Sequence, residues 1–245
     1  MKKRLDLLLF QKKLVNSRTN AQQLIRSGNV LVDDKVVIKS GYLCDLENKI
    51  SFKKLDYQWV SRGALKLLHA IEYFDICIDK FICLDIGAST GGFTEVLLSK
   101  KAKKIYAVDV GTNQLNEKFL YDNRVIDISQ TNAKNLDNTV IIEEIDMIVC
   151  DVSFISMKKV IQPSINFLNK NKGIIISLIK PQFEVEKKEL KKGGIINDSI
   201  IHERICNDYR SWFYSELKMK VIGIIPSPID GLKKGNKEFL IYAKR

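Results

Sequence analysis

The sequence predicts an α/β protein in which a small basic α+β domain precedes a mostly parallel, doubly wound sheet of Rossmann-like type. Seven apolar, strand-like runs recur in the second part of the chain and are mostly separated by helical stretches, an alternation typical of such sheets. The last two runs follow a helix expected over 197–217 and lie close together, which favours an antiparallel hairpin at one edge. The seven runs are 81–85, 104–109, 123–128, 145–150, 172–179, 219–226 and 237–243.

The basic charge is concentrated at one end of the chain. The 245 residues carry a formal net charge of +11, and this length allows two domains of unequal size. Residues 1–66 contain 14 basic and 6 acidic side chains, whereas residues 67–245 contain 26 and 23. The first domain is therefore expected to bind a polyanion. Nucleic acid explains the local concentration better than a general effect on solubility does.

The composition argues against several classes of protein. Five cysteines show no C-x-x-C spacing and only two histidines are present, so we expect reduced thiols and no metal site. No apolar run approaches the roughly 18 residues that span a bilayer. The apolar N-terminal run stops at Gln11, and no cleavage-like stretch follows it. We therefore expect a soluble, cytoplasmic, monomeric protein with no membrane segment.

The N-terminal residues predict two short helices followed by a hairpin. The helices are expected over 4–14 and 17–27, with Ser17 as the N-cap of the second. Apolar runs at 30–32 and 36–38 flank an Asp-Asp turn, which is a hairpin signal. With arginines on one helix face, this arrangement resembles the alpha-L RNA-binding domain; a generic basic helical hairpin is the alternative. The resemblance is carried by Arg4-Leu5-Asp6, Ser17-Arg18, Ala21 and residues 25–32.

A glycine-rich turn follows the first strand of the larger domain. Asp85 ends the apolar run, and Gly87, Gly91 and Gly92 would let a ligand approach the backbone closely. The turn lacks both G-x-G-x-x-G and the lysine of a phosphate-binding loop, so it suits a nucleoside with a cationic centre, namely S-adenosylmethionine. The next strand ends at Asp109, which could accept both ribose hydroxyls. A plain loop is the alternative interpretation of the glycines alone.

Two oppositely charged residues follow neighbouring strands of the predicted sheet. Asp151 follows the fourth run and Lys180 follows the fifth, and ligands of such sheets bind at these strand ends. A buried lysine needs a partner, and Asp151 is the natural one. By itself, a structural ion pair is the simpler interpretation. Beside a cofactor loop, however, the pair also suits methyl transfer to a hydroxyl, because an alcohol must lose its proton as it attacks.

Nearly the whole chain resembles the TlyA family of ribosomal RNA 2′-O-methyltransferases, formerly called hemolysin A. The resemblance implies a Lys-Asp-Lys-Glu tetrad and the ribose 2′-hydroxyl of a large-subunit cytidine as target, with a small-subunit cytidine added in longer members. The implied partners are ribosomal RNA and ribosomal subunits. Besides the N-terminal domain, the matching blocks are 59–67, 84–94, 106–111, 131–134, 151–156, 180–184, 192–195, 227–231 and 235–240.

Site residues follow from these motifs and from the resemblance. Lys180 is our choice to take the hydroxyl proton, Asp151 and Glu238 would orient the lysines, and Lys66 would help to hold the ribose. Cofactor binding is expected of Asp85, Gly87, Ala88, Ser89, Thr90, Gly91, Phe93, Asp109, Val110, Asn132, Ala133 and Asp151. RNA binding is expected of Arg4, Arg18, Arg26, Arg62 and Lys134.

The predicted boundaries place an RNA-binding domain at 1–56 and a methyltransferase domain at 63–245. The segment 50–60 is expected to hold the linker, drawn at 57–62, and a helix is expected from 61 with Ser61 as its N-cap. Three positions depart from the family pattern: Tyr57 and Gln130, where some members carry arginine, and Ser40, where proline is common.

Three other functions compete with this one. The sequence Asp151-Val-Ser-Phe loosely imitates the loop of base N-methyltransferases, but it lacks both of that loop's prolines. A membrane-lysing protein would need an amphipathic stretch, and none here has the length or composition for it. A noncatalytic RNA-binding factor would differ from an enzyme in failing to bind the cofactor.

Overall fold

The computed structural model divides the chain into two compact units, Met1–Gln58 and Trp59–Arg245. It describes residues 2–15, 18–26, 28–52, 59–186, 189–190, 194–230 and 236–245. Ser17 and residues 53–58, which include Tyr57 and part of the predicted linker, therefore lie outside the described residues, as do residues 192–193, 231 and 235 of the matching blocks.

The described residues of the first unit form two helices and two small antiparallel sheets. Its elements are β1 (Lys2–Arg4), α1 (Leu5–Gln11), α2 (Arg18–Arg26), β2 (Val30–Val32), β3 (Lys35–Val37), β4 (Leu43–Asp45) and β5 (Ile50–Phe52). β2 and β3 form the predicted hairpin, whose turn residues Asp33 and Asp34 both have positive φ. β5 pairs with the other side of β2. The expectation that the linker region begins at residue 50 was therefore wrong, because Ile50–Phe52 belongs to this sheet.

The apolar faces of the two helices and of the hairpin form the core of the first unit. α1 and α2 contribute leucine, alanine and isoleucine side chains that are fully buried, and β2 covers them with valines. Burying each large aliphatic side chain contributes about 1.5–3 kcal/mol. The core residues are Leu5, Leu8, Leu9, Val15, Ala21, Ile25, Val30, Val32, Val37 and Cys44.

The second unit contains a seven-stranded sheet with helices. Its elements are α3 (Ala64–Tyr73), β6 (Ile82–Ile86), α4 (Gly92–Ser99), β7 (Lys104–Val108), α5 (Glu117–Leu120), β8 (Val125–Ile128), β9 (Met147–Cys150), α6 (Lys158–Ser164), β10 (Ile174–Ile179), α7 (Ser199–Ser215), β11 (Lys220–Pro226) and β12 (Phe239–Lys244). The strand order is β11-β12-β10-β9-β6-β7-β8. Strands β6 to β10 pair in parallel, and β12 is antiparallel to both of its neighbours. The predicted fold class, including the antiparallel edge, is confirmed.

The buried strands of this sheet separate two apolar cores. Alternate residues of one strand point to opposite faces, so Leu84 and Ile86 of β6 enter one core while Cys83 enters the other. The predicted N-cap at Ser61 was wrong, since α3 begins at Ala64 and Gly63 stands at its cap position. The Ser61 hydroxyl instead lies over Gly92, where an added Cβ would be 2.2 Å from Oγ. In the described part of the chain, no helix is long and apolar enough to cross a membrane.

Candidate active site

The carboxyl ends of β9 and β10 bring four charged residues to one edge of the sheet. Asp151 follows β9 and Lys180 follows β10, and these strands are parallel neighbours. Glu238 precedes β12, whose first residue pairs with the last residue of β10. Lys66 lies in the first turn of α3. The chain topology thus gathers all four residues implied as a tetrad.

The four side chains form a continuous chain of ion pairs. The Lys66 ammonium lies 2.6 Å from Glu238 Oε2 and 3.6 Å from Asp151 Oδ2. The other oxygen of Asp151, Oδ1, pairs with the Lys180 ammonium. Lys180 also donates to the Ser153 hydroxyl at 2.9 Å. Sequence reasoning paired Lys180 with Asp151 correctly but missed Ser153, although it stands only two residues beyond Asp151.

The ion pairs keep two of these four residues, Asp151 and Lys66, charged. Burial alone would raise the pKa of Asp151, but Lys180 and Lys66 outweigh it and hold that pKa at about 2. Burial opposes the charged form of Lys66, yet Asp151 and Glu238 outweigh it and raise the pKa of that ammonium. At neutral pH, Asp151 is therefore a carboxylate and Lys66 an ammonium.

The glycine turn lies directly against the strand end that carries Asp151. Gly87 has a φ of +84°, and a Cβ there would lie 2.8 Å from the Asp151 carbonyl oxygen. Gly91, at the cap position of α4, has a φ of +93°. Both backbone conformations and the close approach require glycine. The turn and the ion-pair chain therefore form one continuous site.

Asp109 connects this turn to the end of β7. Its Oδ2 accepts from the Ser89 backbone N–H at 2.9 Å, and its Oδ1 accepts from the Gly111 N–H at 2.7 Å. Each carboxylate oxygen can still accept a further hydrogen bond, as two ribose hydroxyls would require. Val110, the next residue, is 71% exposed, which leaves an apolar surface beside the carboxylate.

The segment after β8 is tied to the same corner of the sheet. The backbone N–H of Thr131 donates to the Asp109 carbonyl at 2.9 Å. Asn132 is exposed and caps a short 3₁₀ helix, accepting from the N–H of Lys134, and Ala133 is buried behind it. The predicted cofactor residues of three strand ends thus lie together.

Asp85 and Phe93 have the largest side chains among the predicted cofactor residues that are buried. Asp85 is fully buried beneath the turn, and its Oδ2 accepts the Thr94 hydroxyl at 2.7 Å. Among the described residues, its Oδ1 has no hydrogen-bond partner. Burial raises the pKa of Asp85 to about 7. The Phe93 ring packs in the core, so its side chain supports α4 rather than lining the turn.

The comparisons with known proteins agree with this geometry. Residues 59–245 match the FtsJ-like methyltransferase family, and residues 3–50 match the S4 domain. The 16S/23S rRNA (cytidine-2′-O)-methyltransferase TlyA of Mycobacterium tuberculosis is 36% identical over 98% of this chain and 89% of its own length. Hemolysin A of Brachyspira hyodysenteriae is 43% identical over 98% of both chains.

The chain belongs to the TlyA family of FtsJ-like methyltransferases. A solved structure of a hemolysin-type protein from Streptococcus thermophilus is similar, with a TM-score of 0.76 at 34% identity, over 100% of this chain and 88% of that one. The family predicted from the motifs is confirmed.

The S4 domain of this TlyA-family protein presents its predicted RNA-binding arginines in two settings. Arg4 and Arg18 both contact the buried carboxylate of Asp6 and are about half exposed. Arg26, in the last turn of α2, is exposed. In the methyltransferase domain, Lys134 is exposed, and Arg62 is close enough to Lys66 to oppose its charge.

An aromatic pair, the exposed Phe154 and the partly buried Phe183, was missed by sequence reasoning. Phe154 is 81% exposed and has a φ of +67°, a conformation that is costly for a bulky residue. Its ring centroid lies 5.1 Å from that of Phe183, in the turn that follows Lys180. Strain and exposure together are typical of functional positions, and the position of Phe154 just after Asp151 was the available signal.

Proposed function

We propose that this protein transfers a methyl group from S-adenosylmethionine to the 2′-hydroxyl of a cytidine in large-subunit ribosomal RNA. The observation that carries the proposal is the chain Glu238–Lys66–Asp151–Lys180, placed against the glycine turn at the carboxyl edge of the sheet. The TlyA relative of Mycobacterium tuberculosis, named for this reaction on 16S and 23S RNA, supports the substrate class. An S4 domain supports an RNA substrate, and an enzyme of ribosomal subunits would work in the cytoplasm.

The residues at the strand ends fit S-adenosylmethionine. Gly87 and Gly91 give the turn its left-handed backbone, and an added Cβ would lie within 3 Å of Asp151 or Phe119, so the turn itself requires glycine at both positions. Asp109 has acceptor capacity for the ribose hydroxyls, with Val110 beside it for the adenine. The buried Oδ1 of Asp85 lacks a partner among the described residues and would accept a donor of the ligand, directly or through water. When bound, this cofactor supplies a methyl group on a sulfonium.

Lys180 would accept or relay the proton that the 2′-hydroxyl loses. The ammonium of Lys66 shares the Asp151 carboxylate with Lys180, so this carboxylate serves both lysines. Glu238 fixes Lys66, and Ser153 helps to direct Lys180. Positioning of the hydroxyl against the methyl donor would supply much of the acceleration.

The aromatic pair would hold the target nucleotide. Bases stack on exposed aromatic rings with about 1–3 kcal/mol each, and Phe154 stands three residues beyond Asp151. A base displaced from its own stack could lie against this ring while its ribose reached Lys180 and Lys66.

Mapping of methylated riboses tests the proposal. Ribosomal RNA from cells with and without the gene would be digested with alkali, because a 2′-O-methyl group blocks cleavage at its own nucleotide. We expect a protected cytidine in large-subunit RNA only when the gene is present. A methylated base that leaves alkaline cleavage intact would support the N-methyltransferase alternative instead, and a protected cytidine in small-subunit RNA alone would correct the substrate.

A further inference from the structure

We propose that Asp6 is a positioning residue for RNA recognition, whose carboxylate holds the guanidinium groups of Arg4 and Arg18 side by side for phosphates at a fixed spacing. The proposal rests on the proposed function, in which the S4 domain binds ribosomal RNA. It assigns to an acidic residue a favourable role in binding a polyanion.

The contacts of Asp6 show how it could do this. Its Oδ1 accepts from Arg4 Nε and from the Leu7 backbone N–H, both at 3.0 Å. Its Oδ2 accepts from the Arg4 terminal nitrogen at 3.0 Å, from Arg18 Nε at 3.2 Å and from the Gln22 amide at 2.9 Å. Five donors therefore converge on one fully buried carboxylate.

These donors come from separate parts of the domain. Arg4 ends β1, Asp6 lies in the first turn of α1, and Arg18 and Gln22 lie four residues apart on α2, where side chains share one face. Asp6 thus fixes the relative position of a strand end and two helices. The arginine side chains remain 45% and 46% exposed, so each guanidinium keeps N–H donors on its solvent side.

The carboxylate of Asp6 stays charged under ordinary conditions. The hydrogen bonds from Arg4 are the main reason that its pKa lies well below the usual range, and they outweigh the opposing effect of burial. The two guanidiniums are therefore held by charge-assisted hydrogen bonds, which are stronger and more directional than neutral ones.

Positioning and net charge lead to opposite expectations for Asp6→Asn. Removal of a negative charge should strengthen binding to any polyanion if net charge alone decides. An asparagine, however, offers one acceptor oxygen and an NH₂ group that faces donors. At least two of the five donors would lose their acceptor, and the arginines would lose their fixed spacing.

The matched control is Asp34→Asn. Asp34 belongs to the same domain, but its side chain is 72% exposed and it pairs with Lys49 at 3.4 Å. Its positive φ is one that asparagine tolerates. The two substitutions change the net charge by the same amount, and only the first touches the arginines.

The experiment measures binding of the full-length proteins to purified large ribosomal subunits and to heparin over a range of salt concentrations. For Asp6→Asn we expect about tenfold weaker binding to subunits, with heparin binding unchanged or tighter. For Asp34→Asn we expect unchanged or tighter binding to both. Equal S-adenosylmethionine affinity in the two variants would show that the methyltransferase domain is intact.

A second variant keeps the proposal testable if Asp6→Asn does not fold. Arg18→Lys retains the charge at a half-exposed position, but an ammonium lacks the planar fork of arginine. We expect weaker subunit binding with an unchanged salt slope. Subunit binding by Arg18→Lys equal to that of wild type, or by a folded Asp6→Asn equal to that of Asp34→Asn, would overturn the proposal. Failure of the wild-type protein to bind subunits would instead contradict the proposed function.

Discussion

Two buried lysines at the same site differ in what surrounds them. Lys66 lies between two carboxylates, whereas Lys180 has one carboxylate and one hydroxyl as its described partners. The two carboxylates raise the pKa of Lys66, so this lysine stays protonated and is a poor proton acceptor. At the scale of the residue, this contrast is the physical reason to assign proton acceptance to Lys180.

Lys180→Ala should abolish 2′-O-methyl transfer while the fold and cofactor binding stay nearly intact. Loss of a positioned proton acceptor typically costs about 100- to 10,000-fold in rate. Lys180→Arg should rescue poorly because a guanidinium stays protonated. The measurement is single-turnover transfer to ribosomal subunits, with thermal melts. The control is Lys172→Ala, because Lys172 is an exposed lysine just before β10, the strand that Lys180 follows. A Lys180→Ala rate within tenfold of wild type would make Lys180 a structural ion-pair member.

Asp109→Ala should weaken S-adenosylmethionine binding by roughly 1–3 kcal/mol, because it removes an acceptor for ribose hydroxyls and frees two backbone N–H groups. Calorimetry with the full-length protein measures this. Asp127→Ala, an exposed carboxylate on the neighbouring strand β8, should leave the affinity unchanged. Equal affinity of the Asp109 variant and wild type would mean that the ribose site lies elsewhere.

Asp85 should make the stability of the protein depend on pH. Its folded pKa of about 7 lies above the ordinary value of 3.8, because burial, with Asp151 and Asp109 nearby, disfavours the charge. Its stabilising contribution is therefore complete below pH 4 and is lost as the pH rises to about 7. Asp85→Asn should raise the melting temperature at pH 8 relative to wild type, with a smaller difference at pH 5. A difference independent of pH would contradict the raised pKa.

At the scale of the element, the sequence predicted the strands that show a clear apolar pattern. It missed the elements that form only by pairing with residues far along the chain. All seven strands of the large sheet were predicted because each is a predominantly apolar run. β4 and β5 have three residues each, too few to show alternation, and their existence depends on pairing with β1 and β2. Gly63 rather than Ser61 stands at the cap of α3 because the serine packs on Gly92, a contact that no local pattern reveals.

The same limit applied to the candidate site. The partners Asp151 and Lys180 were predictable because parallel strands end at one edge of a sheet. Lys66 lies on a helix and Glu238 just before the antiparallel strand β12, so only the family resemblance indicated them. The contact of Phe154 with Phe183 depends on the turn that follows β10 and was not predicted.

Phe154→Ala should reduce methyl transfer because it removes a ring on which the target base would stack. The ion pairs of the tetrad should stay intact. Loss of a stacking platform worth about 1–3 kcal/mol would lower kcat/KM for ribosomal subunits by about 5- to 150-fold. Cofactor affinity should not change, and the melting temperature should not fall, since an exposed, strained ring is removed. Tyr214→Ala, which removes a 76% exposed ring from α7, is the matched control. Full activity of the Phe154 variant would leave the ring without a role in the reaction.

At the scale of the whole molecule, the uneven charge assigns different tasks to the two domains. Residues 1–58 contain 12 basic and 6 acidic side chains, whereas the three times longer segment 59–245 contains 28 and 23, so positive charge is denser in the first domain. The described ion pairs of the tetrad balance one another. The first domain would hold the RNA through its phosphates. The candidate active site, whose ion pairs balance, need not attract phosphates itself. The salt dependence of RNA binding should therefore depend mainly on the S4 domain.

Arg4→Ala, Arg18→Ala and Arg26→Ala should each flatten the salt dependence of subunit binding, with the slope reduced by about one per lost phosphate contact. Arg26→Ala should do so without a change in melting temperature because its side chain is exposed. Arg4→Ala should also lower the melting temperature, since it removes two hydrogen bonds from the buried Asp6 carboxylate.

Binding isotherms at several salt concentrations and thermal melts measure the two effects separately, and free S-adenosylmethionine should bind all three variants as it binds wild type. A wild-type salt slope in all three would show that the methyltransferase domain, rather than the S4 domain, is the electrostatic anchor for RNA.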